Sequence, residues 1–304
     1  MATLDHGDRG VCALAMVGGV GLVSGGRGHI CAWTQGADRG LRSTAGEAWG
    51  IAALPGGRFA TAGGTTNLVE VWDAGTGQRL HQLRGHTSYV YCVAALPGGL
   101  LASGSNDKTV RIWNAATGAH VATLEGHTST VRALAALPDG RLASGSNDNT
   151  IRLWNVATRA CTHVLQHPNS VWALAVLDGG RLASGSADKN VYIWSAAGGV
   201  QEAVLKGHTS YVWSLAALPN GLLASGSGDK TVRVWDVGAR ACVAVLEGHG
   251  GTVRALAALP DGRLASGSYD DPLIRVWTLT APGTPEDAAA AAAEARGVVV
   301  APAP

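Results

Sequence analysis

The chain has 304 residues, room for two ordinary domains, with 23 basic against 22 acidic side chains and a formal net charge of +1. So even a balance supplies no overall field for nucleic acid or an anionic membrane surface, and neither is an expected partner. Aromatics are only 5% of the chain and Phe occurs once, so a core must be built from Ala, Leu and Val, and the ten Trp mark fixed places.

From the N-terminus, MATLDHGDRG shows no basic-then-apolar leader, and Gly, Pro, Arg and Asp interrupt every longer apolar stretch before it could span a bilayer. Cys12, Cys31, Cys92, Cys161 and Cys242 are odd in number, form no CxxC pair and sit in apolar runs, as buried thiols of a reducing compartment do. The expected location is intracellular, cytoplasmic first with the nucleus as the alternative. Ala2-Thr3-Leu4 aligns without a gap to Ala122-Thr123-Leu124, and the register holds through Val11 and Ala13-Leu14-Ala15. The first residues should therefore form an outer strand that closes the last repeat. The competitor for that place is Val298-Val299-Val300, since Glu294 to Val300 resembles Gly238 to Ala244.

The chain then writes one pattern seven times. Its clearest copy runs from Thr130 to Trp154: an apolar run, a Pro-Asp-Gly turn, a second run into Ser-Gly-Ser, a polar turn at Asn147-Asp148-Asn149, and an alternating run ending in Trp. That reads as three antiparallel strands joined by hairpins. A fourth run, such as Ala119 to Leu124, completes a unit of roughly forty residues, the period of propeller blades. The third strands end at Trp33, Trp72, Trp113, Trp154, Trp194, Trp235 and Trp277, spaced by 39 to 42 residues. Gly18-Gly19-Val20-Gly21 aligns with the first turn of other units and has no helix start after it, so it reads as a hairpin and not a phosphate loop.

Units three, four, six and seven open with Gly-His (His86, His127, His208, His249), and unit five has Gln166-His167 there. With an Asp in the second turn and Trp often followed by Asp or Asn, the sequence resembles the WD-repeat β-propellers over about residues 1 to 280. The resemblance implies an all-β fold, a single seven-bladed propeller of four-stranded antiparallel blades over 1–280. Units one and two depart from the pattern, with His6-Gly7 and Arg27-Gly28 in one, and Ser43-Thr44 and Thr65-Thr66 in the other. Residues 281–304 form an Ala/Pro-rich tail in which Thr284-Pro285-Glu286-Asp287 could start a short helix.

Five sets repeat the residue types of a Ser-His-Asp hydrolase: His86/Ser103/Asp107/Trp113, His127/Ser144/Asp148/Trp154, His167/Ser184/Asp188/Trp194, His208/Ser225/Asp229/Trp235 and His249/Ser266/Asp270/Trp277. The resemblance implies a hydrogen-bonded chain from Asp through His and Ser to the indole. Repetition in successive blades is what a structural joint requires, whereas a triad needs one exposed nucleophile beside an oxyanion site. One His per forty residues also lacks the clustered spacing of a metal site. His29 and His81 stand singly, so no enzyme, cofactor or metal is expected.

The three Trp outside the blade signature fall at one aligned position, which collects Cys12, Trp49, Tyr91, Arg132, Trp172, Trp213 and Arg254. Two residues earlier stand Tyr89 and Tyr211 in their blades, and Tyr269 lies just before a turn Asp. By resemblance these border the central opening on the face of the Gly-His loops. Trp, Tyr and Arg are enriched at binding hot spots, so the expectation is a non-catalytic scaffold or adaptor, monomeric within a larger complex, that takes a protein or peptide there. Substrate presentation to a ubiquitin ligase is one form of this. A second reading is a methyl-lysine reader boxed by Trp49, Tyr91, Trp172 and Trp213, although rings on different blades are expected to stand too far apart for a tight cage.

Overall fold

The computed structural model describes residues 2–6, 10–26, 28–33, 41–43 and 47–279. The proposed tail and the competing strand at Val298–Val300 lie outside them. The chain forms seven four-stranded antiparallel sheets, one per repeat. Their inner strands are Val11–Val17, Gly50–Leu54, Val90–Leu96, Val131–Ala136, Val171–Leu177, Val212–Ala217 and Val253–Ala258. Each inner strand packs on those of both neighbouring blades, and the first packs on the last, so the sheets close into a ring.

The apolar clusters lie between blades. One joins Ala135, Ile151 and Leu153 of blade four to Leu182 and Trp194 of blade five. Because a blade's middle strands are covered on both faces, they lose the in-out alternation of a half-solvated sheet. Leu142 to Ser146, for instance, is buried at every residue.

Neighbouring blades approach closely at the glycine of Ser-Gly-Ser. A Cβ on Gly145 would lie 2.5 Å from Val171 Cγ1 in the next blade, and the same contact recurs from Gly104 to Val131, Gly185 to Val212 and Gly226 to Val253. Gly267 makes it across the closing joint, where a Cβ would meet Val11 Cγ1 at 2.5 Å. A side chain here would force the valine of the neighbouring inner strand outward, so close packing demands glycine.

Ring closure falls to the N-terminus. Ala2–Asp5 is the outer strand of blade seven, antiparallel to Asp271–Trp277 with Thr3 opposite Arg275. The last sheet therefore takes strands from both ends of the described chain. Gly18 to Val20 turns between Val17 and Gly21, as a hairpin should.

Candidate functional site

Blades three, four and six hold the complete hydrogen-bonded chain. In blade four the Trp154 indole N–H donates to Ser144 Oγ (2.8 Å), Ser144 donates to His127 Nε2 (2.7 Å), and His127 Nδ1–H donates to Asp148 Oδ2 (2.8 Å). Ser103 takes the same place in blade three, 2.8 Å from His86 Nε2, and Ser225 in blade six, 2.7 Å from His208 Nε2. Their histidines both reach the turn carboxylate, Asp107 or Asp229, at 2.7 Å. The carboxylate does more than face the imidazole. In blade four it also accepts the backbone N–H of Thr128 and, through its other oxygen, the hydroxyl of Thr150. Burial alone would raise these carboxyls, but the hydrogen bonds from histidine, threonine and backbone outweigh it and hold Asp107, Asp148 and Asp229 below the usual carboxylate range.

Ser103, Ser144, Ser184, Ser225 and Ser266 are all fully buried, so no surface open to a substrate or partner includes them. Each accepts an indole N–H, from Trp113, Trp154, Trp194, Trp235 and Trp277 in turn. They join strands and present no nucleophile to solvent.

Two sets differ from the sequence expectation. In blade five, Ser184 keeps its bonds to His167 Nε2 (3.0 Å) and the Trp194 indole (2.8 Å), but Asp188 does not reach His167. The Asp188 Oδ2 accepts the Tyr192 hydroxyl (2.6 Å), and His167 Nδ1 pairs with the Asn169 carbonyl (2.7 Å). The cause is local: Pro168 follows the histidine, and proline has no N–H to draw the carboxylate in as Thr87, Thr128 and Thr209 do. In blade seven the acid is Asp271, not Asp270. One extra residue in the turn shifts the register after Gly267, so Asp270 accepts only the Thr252 N–H (3.3 Å), while Asp271 binds Arg275 (2.6 Å) and lies 3.8 Å from His249. Arg275 donates to His249 Nδ1 (3.1 Å), which reverses the ring's polarity, so that Nε2–H faces Ser266.

Asp148→Ala should strip a buried imidazole, the N–H groups of Thr128 and Thr150 and the Thr150 hydroxyl of their acceptor and cost about 1–3 kcal/mol. Asp188→Ala, which removes the acceptor of the Tyr192 hydroxyl and the Asn190 N–H but strips no imidazole, and Asp270→Ala, which removes one long bond from the Thr252 N–H, should each cost less than Asp148→Ala. Denaturant titrations of the three variants measure the difference, and equal losses would contradict the assignments.

The irregular blades keep part of the joint. In blade one His6 presents Nδ1 to Ser24 (2.9 Å), which also accepts the Trp33 indole (2.8 Å). In blade two Thr61 receives the Trp72 indole at 3.1 Å. The histidines expected to stand singly are engaged as well: the His29 ring lies 5.2 Å from that of His6, and His81 Nε2 bonds the Ala116 carbonyl.

The aligned position on the inner strands forms a continuous circuit over the channel. Trp49 meets Tyr91 with ring centroids 5.0 Å apart, and the Arg132 guanidinium lies 4.1 Å from Tyr91 and 6.0 Å from Trp172. Trp172 packs against Trp213 with centroids 4.2 Å apart and the rings tilted by 38°, and Arg254 lies 4.2 Å from Trp213 and 6.0 Å from Trp49, which returns to the start. Cys12, buried at the seventh position, leaves the gap that Arg254 spans. Rings on different blades do meet, against expectation, because they rise from inner strands that pack directly on one another around a narrow axis.

All six side chains are half-buried, and together they line a cavity of about 150 Å³. Tyr211 stands outside the circuit against Trp172 (4.9 Å) and Tyr269 under Arg254 (4.7 Å). Tyr89 and Tyr211 are 43% and 46% exposed. The Trp172 indole is held by Asn147 Oδ1 at 3.1 Å, from the second turn of blade four. Burial also acts on the cation: desolvation lowers the pKa of Arg132 against the opposing pull of Tyr91 and Cys92. The nearby Cys92 thiol is pushed up to about 12 by burial, so it stays protonated.

No curated protein matches the chain. The WD domain, G-beta repeat family matches residues 77–114, 118–155, 159–195, 199–236 and 240–278, together more than half of it. Five matched repeats, a sevenfold ring of four-stranded blades and an indole-to-serine joint in each matched blade converge on one assignment: the chain belongs to the WD40-repeat family, whose propellers are generally non-enzymatic protein-interaction scaffolds.

Proposed function

We propose that this propeller is a non-catalytic platform that binds a peptide segment or protein partner over the channel mouth, through Trp49, Tyr91, Arg132, Trp172, Trp213 and Arg254. The observation that carries it is the circuit itself. One strand position per blade gathers four large rings and two guanidiniums into a half-exposed surface, whereas the buried positions of the same inner strands are almost all Ala, Leu and Val. Such a cluster offers large contact area with few torsions to freeze. The rim tyrosines Tyr89, Tyr211 and Tyr269 extend it.

A methyl-lysine reader fits this geometry poorly. The rings stand close enough for a cage, but Arg132 already lies over Tyr91 and Arg254 over Trp213. A third cation would meet like charge instead of a vacant π-face.

Trp172→Ala and Trp213→Ala should each weaken partner binding by about 2 kcal/mol or more. Stability should change far less than the about 3–5 kcal/mol that a cavity in a closed core costs, since both rings face the mouth. Affinity capture from the source cell with wild type and each variant, read beside their melting curves, tests this. Capture unchanged by both substitutions, or a melting loss of core size, would refute it.

A further inference from the structure

The platform reading leaves the partner's chemistry open, and the charges of this face narrow it. Its loops and turns carry Arg84, Lys108, Lys189, Lys206 and Lys230 over blades three, five and six, all exposed. Arg132 stands at their centre on blade four. Among the described residues none of the six forms an ion pair. The carboxylates within the same turns are already engaged: Asp107 and Asp229 by histidine and threonine, Asp188 by Tyr192. In blade four Asp148 is held in the same way and Glu125 is the further acid of this sector, and among the described residues the remaining carboxylates of the face, Asp5, Glu47, Glu247, Asp270 and Asp271, sit on blades two and seven. A chain of net charge +1 has thus gathered cations into one sector of its candidate binding face.

Arg132 makes the demand specific. Its Nε is a buried donor with no acceptor, its guanidinium carbon lies over Tyr91, 4.1 Å from the ring centroid, and it lines the cavity of about 150 Å³. Arg111, Arg152, Arg233 and Arg275 also have a buried Nε without an acceptor, but they belong to third strands, away from the mouth. A guanidinium held over an aromatic ring, with an unpaired N–H and no acid on it among the described residues, matches a carboxylate, which can accept two parallel N–H bonds. The cavity is about the size that accommodates a single benzene in an engineered apolar site, so it admits the end of one side chain and no nucleic-acid backbone.

We propose that the platform recognises an acidic peptide segment, with one Asp or Glu carboxylate seated on Arg132 between Tyr91 and Trp172 and flanking acids lying over Lys108, Lys189 and Lys230. This rests on the platform reading and names its ligand class. The central carboxylate supplies specificity, and the exposed lysines supply steering, which salt should weaken.

Selection of phage-displayed random twelve-residue peptides on the immobilised protein tests it. Peptides enriched in Asp and Glu are expected. A labelled selected peptide should lose at least about tenfold in affinity when its central acid is changed to the amide, and similarly when the protein carries Arg132→Gln. The peptide-side change reads the same contact without touching the fold, and Arg132→Lys, which keeps the charge but not the fork, should also bind more weakly. Selected peptides that depend on Trp213 but carry no acid would overturn this proposal and leave the platform standing. Peptides indifferent to both Trp213 and Arg132, or no selection at all, would overturn both. Binding at least about tenfold tighter when phosphoserine replaces the central acid would overturn the carboxylate assignment in favour of a phosphopeptide.

Discussion

Stability should fall as the pH drops from about 6.5 to about 4, a loss that begins well above the pH at which ordinary carboxylates protonate. Burial depresses His167 to about 4 from the ordinary 6.5, and burial together with the nearby Arg275 does the same to His249. The unfolded chain therefore binds more protons across that window. The contribution of each residue is fully present above pH 6.5 and is lost as the pH falls to the folded value. Each is worth on the order of 3 kcal/mol as an upper limit. Among the five regular sets these are the two whose histidine has no carboxylate at hydrogen-bond distance, since Pro168 removes the N–H that would draw Asp188 in and Arg275 has claimed Asp271. His127 is lowered too, by burial, but there Asp148 pulls the other way. Below about pH 4 the depressed carboxylates Asp107, Asp148 and Asp229 begin to take up protons in the unfolded state first, and a second loss sets in. Urea titrations at pH 7.5, 6, 5 and 4.5 measure the first slope, and His167→Gln should flatten part of it. A stability unchanged down to pH 4.5 would mean that the two imidazoles are solvated.

The period of Trp makes the sevenfold architecture legible, and the Ser-Gly-Ser run marks the second strand of the regular blades. Local exceptions set the limit. The repeat pattern places the blade-seven acid one residue early, although the spacing carries the clue: Trp235 to Trp277 is 42 residues, one more than from Trp194 to Trp235. Pro168 is equally visible, but its effect depends on a backbone donor whose role only geometry discloses. The threonines two residues after the turn Asp, Thr109, Thr150 and Thr231, carry no mark of their role in the pattern, yet each closes on that carboxylate at 2.6 or 2.7 Å. Alignment gathers the ring residues into one register, but their mutual contact depends on the width of the channel. That width reflects how closely the glycines let the blades approach, a packing quantity that a sequence states only indirectly.

Deleting residues 1–5 should cost about 3–5 kcal/mol and make the protein self-associate. Four residues, Ala2 to Asp5, pair with Val276 to Leu273, with net worth of about 1 kcal/mol per hydrogen bond. Leu4 also packs into the cluster that joins blades seven and one through Val11, Ala255 and Ile274. The strand is more than an edge cover. Its chain runs on into blade one, so without it those two blades are held by the His6 N–H bond to the Pro272 carbonyl and by side-chain packing, including the Gly267–Val11 contact. The exposed Asp271–Trp277 edge would offer a row of unpaired backbone groups to another copy. Thermal unfolding beside sedimentation over a range of concentrations reads both effects. A truncated chain that melts with the full-length one and stays monomeric would mean that another strand can take the vacated place, and Glu294 to Val300, with its likeness to Gly238 to Ala244, is the segment to delete next.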